Sequence, residues 1–299
     1  MANVIFEDIK RKFKSDNPVT RLIVINIAVF ILISILRILM MLNLVPIKIA
    51  VNLLLENLSF LISVEGLFYK PWTLITYAFT HVEVFHLLWN MLTLFWFGQI
   101  LLEYTSSKKI IPLYILGAIA GALFSMLIIV AVPSLVIYQG IPMIGASAGV
   151  TAIVIAAATL LPHFKMNLMF IGEVKLVYVA LFYVLIDILN VASYSNVGGN
   201  LAHLGGALMG YLFIVQLKKG NDMAKPFNLF SDWIFGLFKK NSRMKVVSNN
   251  KKKFTDEEYN QSKVANQKQI DAILDKISKS GYESLSKTEK EILFKASKK

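Results

Sequence analysis

The chain contains no cysteine. Disulfides, thiol catalysis and Cys-ligated metals are therefore excluded. It has only 4 His, so any metal site would need carboxylate help. Charge is also scarce. Only 17% of the 299 residues are charged, against about 25% in soluble domains. The hydrophobic share is 56%, above the usual range of about 45–50%. An ordinary soluble fold does not fit these numbers. Disorder fits no better, because 20 Phe, 11 Tyr and 4 Trp are too many for it over most of the chain.

What charge there is lies unevenly. Residues 1–217 hold 12 Lys and Arg against 9 Asp and Glu, whereas residues 218–299 hold 19 against 10. The first part reads as membrane and the last as a basic soluble tail. Acidic residues interleave throughout that tail, so no nucleic-acid partner is expected.

Apolar runs occur at about 22–42, 81–102, 110–132, 147–161, 174–190 and 202–217. A spanning helix needs about 20 residues. Three runs meet this alone, and three need neighbouring residues to complete them. The first run is too long for a signal peptide and no small-x-small site follows it, so it reads as an uncleaved span. Lys10, Arg11, Lys12, Lys14 and Arg21 precede it. Lys108 and Lys109 follow the second run, and Lys165 and Lys175 follow the fourth. Segments 133–146 and 191–201 carry no charge at all. This asymmetry predicts six spans with both termini cytoplasmic. The stretch Ile47–Ser63 reads as a helix in the outer interface, since Pro46 and scattered polar residues argue against a seventh span.

Polar residues inside such runs are functional candidates, because burying them in lipid is costly. His81-Val-Glu-Val-Phe-His86-Leu-Leu-Trp-Asn90 opens the second run. His86 and Asn90 are four apart, so they share a helix face, and both donate hydrogen bonds. They fit either interhelical bonding or a site. His81 faces elsewhere and reads as interhelical bonding alone.

Gly145-Ala146-Ser147-Ala148-Gly149 opens the fourth run and matches G-x-S-x-G. Small-residue clusters also occur wherever membrane helices touch. A nucleophile elbow needs a soluble sheet, whereas Val150–Leu161 reads as a membrane helix. What remains is a serine at a helix N-terminus, where unpaired N–H groups and the positive dipole end suit an oxyanion. From Ser147 to Leu161 the helix is about 22 Å long, shorter than a hydrocarbon core of about 30 Å. A wet pocket near Ser147, open to the outside, follows.

Gly198-Gly199-Asn200-Leu201-Ala202-His203-Leu204-Gly205-Gly206 opens the sixth run. His203 is either a packed polar residue or, with small neighbours on both sides, a group within reach of an adjacent span. Arg37, Glu103 and Asp187 lie near span ends and read as snorkelling or pairing residues. His163 has no assigned role. His86, Asn90, Ser147 and His203 fall at one depth, and together hold the parts needed for acyl transfer.

In this combination and order, the H-x-x-x-x-H-x-x-x-N, G-x-S-x-G and A-H-x-G-G motifs resemble those of the rhomboid family of intramembrane serine proteases, over residues 20–217. The resemblance implies a six-helix core that cleaves transmembrane protein substrates near their entry into the bilayer. By position, Ser147 is then the nucleophile and His203 its general base. His86, Asn90 and the Ser147 backbone N–H form the oxyanion hole. No third acidic member, metal or cofactor is expected. The fifth span, the 191–201 loop and Trp89 are the implied substrate gate. Two departures are visible. Thr73 stands where an Arg often follows Trp72, and Thr151 stands where an aromatic often packs on the catalytic His.

The resulting expectation is an all-α, polytopic membrane helical bundle. It comprises a cytoplasmic segment (1–20), a six-helix membrane domain (21–217), a basic and aromatic linker (218–254) and a cytoplasmic helical extension (255–299). Residues 218–250 fit either an interfacial segment or a tether. Thr255–Lys279 reads as a helix stopped at Ser280-Gly281, and Ser286-Lys287-Thr288-Glu289 as the capping box of a second. A bacterial inner membrane is the implied location. One alternative is a catalytically silent rhomboid-like client binder. Its mark would be a lost Ser or His, and neither is lost. A small-solute transporter would show internal repeats and ionisable residues at the midplane, neither of which is found.

Overall fold

Asn17 starts the first helix, α1 (Pro18–Met40). Its side chain accepts the Val19 and Thr20 N–H groups, and Pro18 occupies the first helical position. The computed structural model describes residues 17–41, 45–168, 172–238 and 256–297. The basic cluster from Lys10 to Lys14, the 239–254 part of the expected linker and Thr255 of the expected extension lie outside the described residues. The chain divides into two compact units, Met1–Lys239 and Lys240–Lys299.

In the first unit, α2 (Val45–Leu58), strand β1 (Phe60–Leu61) and α3 (Val64–Tyr69) follow α1. The short α4 (Thr73–Thr76) and a 3₁₀ turn lead to α5 (Val84–Tyr104) and α6 (Ile110–Ala131). Then come β2 (Pro142–Met143), α7 (Ser147–Leu160), a hairpin of β3 (Lys165–Leu168) and β4 (Gly172–Lys175), α8 (Leu176–Ala192), α9 (Val197–Lys218) and α10 (Ala224–Phe238).

The core sits around α7. Its residues from Ala148 to Ala158 are all buried, packed mainly against α6, α9 and α5. Small side chains make this possible. A Cβ at Gly206 would overlap the Ala148 carbonyl, and one at Gly210 the Ala152 carbonyl. Backbones meeting this closely gain dispersion contact without needing a water-driven hydrophobic term. The exterior is apolar instead. Ile31, Leu32, Ile35, Phe95, Phe182 and Leu185 are all exposed. An apolar outside over a small-residue inside is the inverse of a soluble bundle, and the protein is a membrane protein.

Among the described residues, four helices are long and apolar enough to cross a bilayer: α1, α5, α6 with its leading turn, and α9. The fourth and fifth expected spans appear as the shorter apolar helices α7 and α8, of 14 and 17 residues. The loop between them was not expected to hold strands, yet Lys165 pairs with Lys175 and Leu168 with Gly172 across its hairpin. Residues 224–238, expected as linker, are helical and belong to the first unit. Ala224 is fully buried, Asn228 donates to the Lys108 carbonyl (3.2 Å), and Asp222 pairs with Lys109 (3.4 Å).

The second unit contains α11 (Asp256–Ser280) and α12 (Lys287–Ser297). Gly281 ends α11 with φ +76, a conformation that costs other residues strain. At the start of α12 the Ser286 hydroxyl accepts the Glu289 N–H (3.3 Å), and the Glu289 carboxylate accepts the Ser286 N–H (2.7 Å). This is a reciprocal capping box.

Candidate active site

The approach to Ser147 is fixed from outside its own helix. β1 and β2 pair antiparallel, with Phe60 opposite Met143 and Leu61 opposite Pro142. Gly145 then donates its N–H to the Tyr77 carbonyl (2.9 Å). Its φ is +126, and a Cβ there would lie 2.6 Å from His86 Cε1. Glycine is therefore required twice at this position, for the backbone conformation and for the imidazole lying against it. Ala146, the next residue, donates its N–H to His81 Nε2 (3.2 Å). With Nε2 accepting, a neutral His81 carries its proton on Nδ1. No side chain caps α7, so its first-turn N–H groups stay free for a ligand.

His203 comes from the second turn of α9. That helix start is pinned as well. Asn200 donates to the Ser195 (2.6 Å) and Asn196 (3.0 Å) carbonyls, and Ser125 donates to the Gly198 carbonyl (2.9 Å). Tyr194 (φ 57) and Asn196 (φ 41) take left-handed conformations in the preceding turn, which is uncommon outside glycine. His86 and Asn90 lie on α5. The Asn90 amide donates to the His86 carbonyl (2.8 Å), which leaves its second hydrogen available.

Two cavities meet these residues. One, of about 630 Å³, is lined by Glu83, Met143, Gly145 and Asn196 together with His86, Ser147 and His203. The other, of about 390 Å³, lies between α5 and α8, where Trp89, Asn90, Phe182 and Tyr183 line it with the same three residues. Its walls are tied by a hydrogen bond between the Thr93 and Tyr183 hydroxyls (3.3 Å). All four expected site residues thus surround one volume. Among the described residues, neither the Ser147 hydroxyl nor His203 Nε2 has a hydrogen-bond partner. Catalytic hydrogen bonds are often long in ligand-free enzymes and tighten with substrate.

Two residues make contacts that the sequence did not name. Asp187, read as a snorkelling or pairing residue near a span end, lies in α8 and is 5% exposed. Its Oδ1 lies 2.8 Å from His203 Nδ1. A buried carboxylate needs a partner, and the α8–α9 packing supplies this one. His81, read as an interhelical group, instead holds the residue before Ser147. Its signal was absent from the sequence because the partner is 65 residues away. Thr73 and Thr151 depart from the family pattern without disturbing the frame. Trp72 donates to the Asn57 carbonyl (2.9 Å), Thr73 to the Lys70 carbonyl (2.6 Å), and Thr151 is buried in the α7 core. Among the described residues, no three His, Asp or Glu side chains group as metal ligands.

Residues 69–219 match the family model of the Rhomboid domain. Residues 254–299 match a family of unknown function, DUF6576. RHOMBOID-like protein 12, mitochondrial, of Arabidopsis thaliana is 30% identical over 163 residues, covering 50% of this chain and 47% of that protein. The chain thus spans about half the length of the curated relative it matches. Since the Rhomboid match runs from the end of α3 through α9, it takes in every helix that converges on Ser147, and the chain belongs to the rhomboid family.

Proposed function

We propose that this protein is an intramembrane serine endopeptidase that cuts transmembrane protein substrates near the outer side of the bilayer. One observation carries the reading: Ser147, His203 and His86 line both cavities, one of which opens between two apolar helices. In the reaction, Ser147 Oγ attacks the peptide carbonyl carbon and passes its proton to His203 Nε2. The carbonyl oxygen becomes an oxyanion held by the Ser147 N–H, His86 and Asn90. His203 returns the proton to the leaving amine, which departs as the acyl-enzyme forms. A water then attacks, with His203 again as base, and frees the new carboxyl end. The substrate helix must unwind first, because helical carbonyls are already hydrogen-bonded. It enters between α5 and α8, past Trp89 and Phe182.

The reading includes six crossings: α1, α5, α6, α7, α8 and α9. The short α7 crosses because its Ser147 end meets a cavity rather than lipid. An even count puts both termini on one side, and the basic residues favour the cytoplasm for that side; a bacterial inner membrane is the location that the family resemblance suggests.

Labelling with a fluorescent fluorophosphonate tests the proposal. The parent protein is expected to label, and Ser147→Ala and His203→Ala at equal expression are not. A folded parent that neither labels nor cleaves a transmembrane reporter would overturn it in favour of a client-binding role.

A further inference from the structure

The imidazole of His203 is held from one side. Among the described residues its sole hydrogen bond is the 2.8 Å contact from Nδ1 to Asp187, and no aromatic ring stacks on it. Asp187 in turn has no other hydrogen-bond partner among the described residues. It lies four residues after Tyr183 and three before Asn190, on the α8 face that lines the cavity with Ser147. Leu181 and Leu185, on other faces of the same helix, are exposed. A carboxylate in an otherwise uncharged helix is retained at a cost, and here it points at one ring nitrogen.

We propose that Asp187 is the positioning residue of this site, a third member behind the Ser147–His203 pair. This rests on the serine-protease reading above. Asp187 keeps the proton of neutral His203 on Nδ1, so that the Nε2 lone pair faces Ser147. When Nε2 takes the serine proton, the carboxylate offsets the positive charge on the ring. Asp187 itself gains no proton, and the Nδ1–H stays hydrogen-bonded to it throughout. The rival role is a tie between α8 and α9 with no part in the chemistry.

The two roles separate in Asp187→Asn, which keeps size and hydrogen-bonding capacity but removes the charge and permits the wrong tautomer. The full chain in detergent is read in two ways. Fluorophosphonate labelling of Asp187→Asn is expected to slow by about 10²–10⁴-fold, with the melting temperature held. Unchanged labelling overturns the proposal. The second readout needs no catalysis. The proton spectrum of the parent is expected to show a low-field imidazole N–H, lost in His203→Ala and moved upfield in Asp187→Asn. If the parent does not label, the protease reading fails, while the low-field signal still decides the pairing. Its absence from the parent overturns the pairing too. If Asp187→Asn does not fold, Asp187→Ser takes its place with the same two outcomes: slowed labelling in a folded variant is expected, and unchanged labelling overturns the proposal.

Discussion

At the scale of single residues, the site depends on groups that prepare a helix start. His86 and Asn90 are each expected to reduce the fluorophosphonate labelling rate by about 10²–10³ when changed to Ala, the usual loss for one oxyanion donor. Thermal melting in detergent should move little, since both face a cavity. Gly145→Ala should fail differently. A methyl group 2.6 Å from His86 Cε1, on a backbone at φ +126, forces the ring or the turn to move. Labelling should fall at least as far as in His86→Ala, and a rate close to the parent's would show that the ring does not need its place against the turn. Ser147, His86, Asn90 and His203 were legible in the sequence because each lies in a short motif whose spacing sets its helix face. His81 and Asp187 were not, because what matters in each is a partner on another element.

At the scale of elements, α7 is confined by its neighbours. A side chain at Gly206 has no room beside the Ala148 carbonyl. Gly206→Val is expected to cost about 1–3 kcal/mol or more through overpacking, read as a lower melting temperature together with lost labelling. A stable but inactive variant would mean that α9 shifts instead of unpacking. The capping box of α12 gives a pH prediction. The Ser286 backbone N–H, then the Lys276 ammonium, hold the Glu289 carboxyl down to about 2 from an ordinary 4.5. The folded value lies below the unfolded one, so the stabilisation is whole above about 4.5 and fades as pH falls from there through about 2. Hydrogen-exchange protection of α12 should weaken across that window, and Glu289→Gln should remove the dependence.

At the scale of the whole molecule, the lack of cysteine makes the chain its own background for labelling by introduced thiols. Single cysteines at Gly140 and Ser195 should react with an impermeant maleimide from the outer side of sealed cells. Ones at Ser107 and Asn167 should react only after the membrane is opened. Reaction of Gly140 and Asn167 from the same side would remove the six-span topology, whatever the catalytic outcome. The test matters because α7 and α8 fall short of spanning length, so crossing by either would depend on the protein around it rather than on apolar length.

The sequence by itself determined the membrane character, the six apolar runs, the three motifs and the capping box of the tail. Each follows from composition or short-range spacing, which local physics turns directly into helices and faces. Only the tertiary structure decided that His81 holds the turn before Ser147, that Asp187 meets His203, and that 224–238 folds onto the first unit. Those outcomes depend on which elements approach: the segment before α5 against the start of α7, α8 against α9, and α10 against α6 and the turn before it. Small residues permit that approach but do not specify which polar groups it brings together.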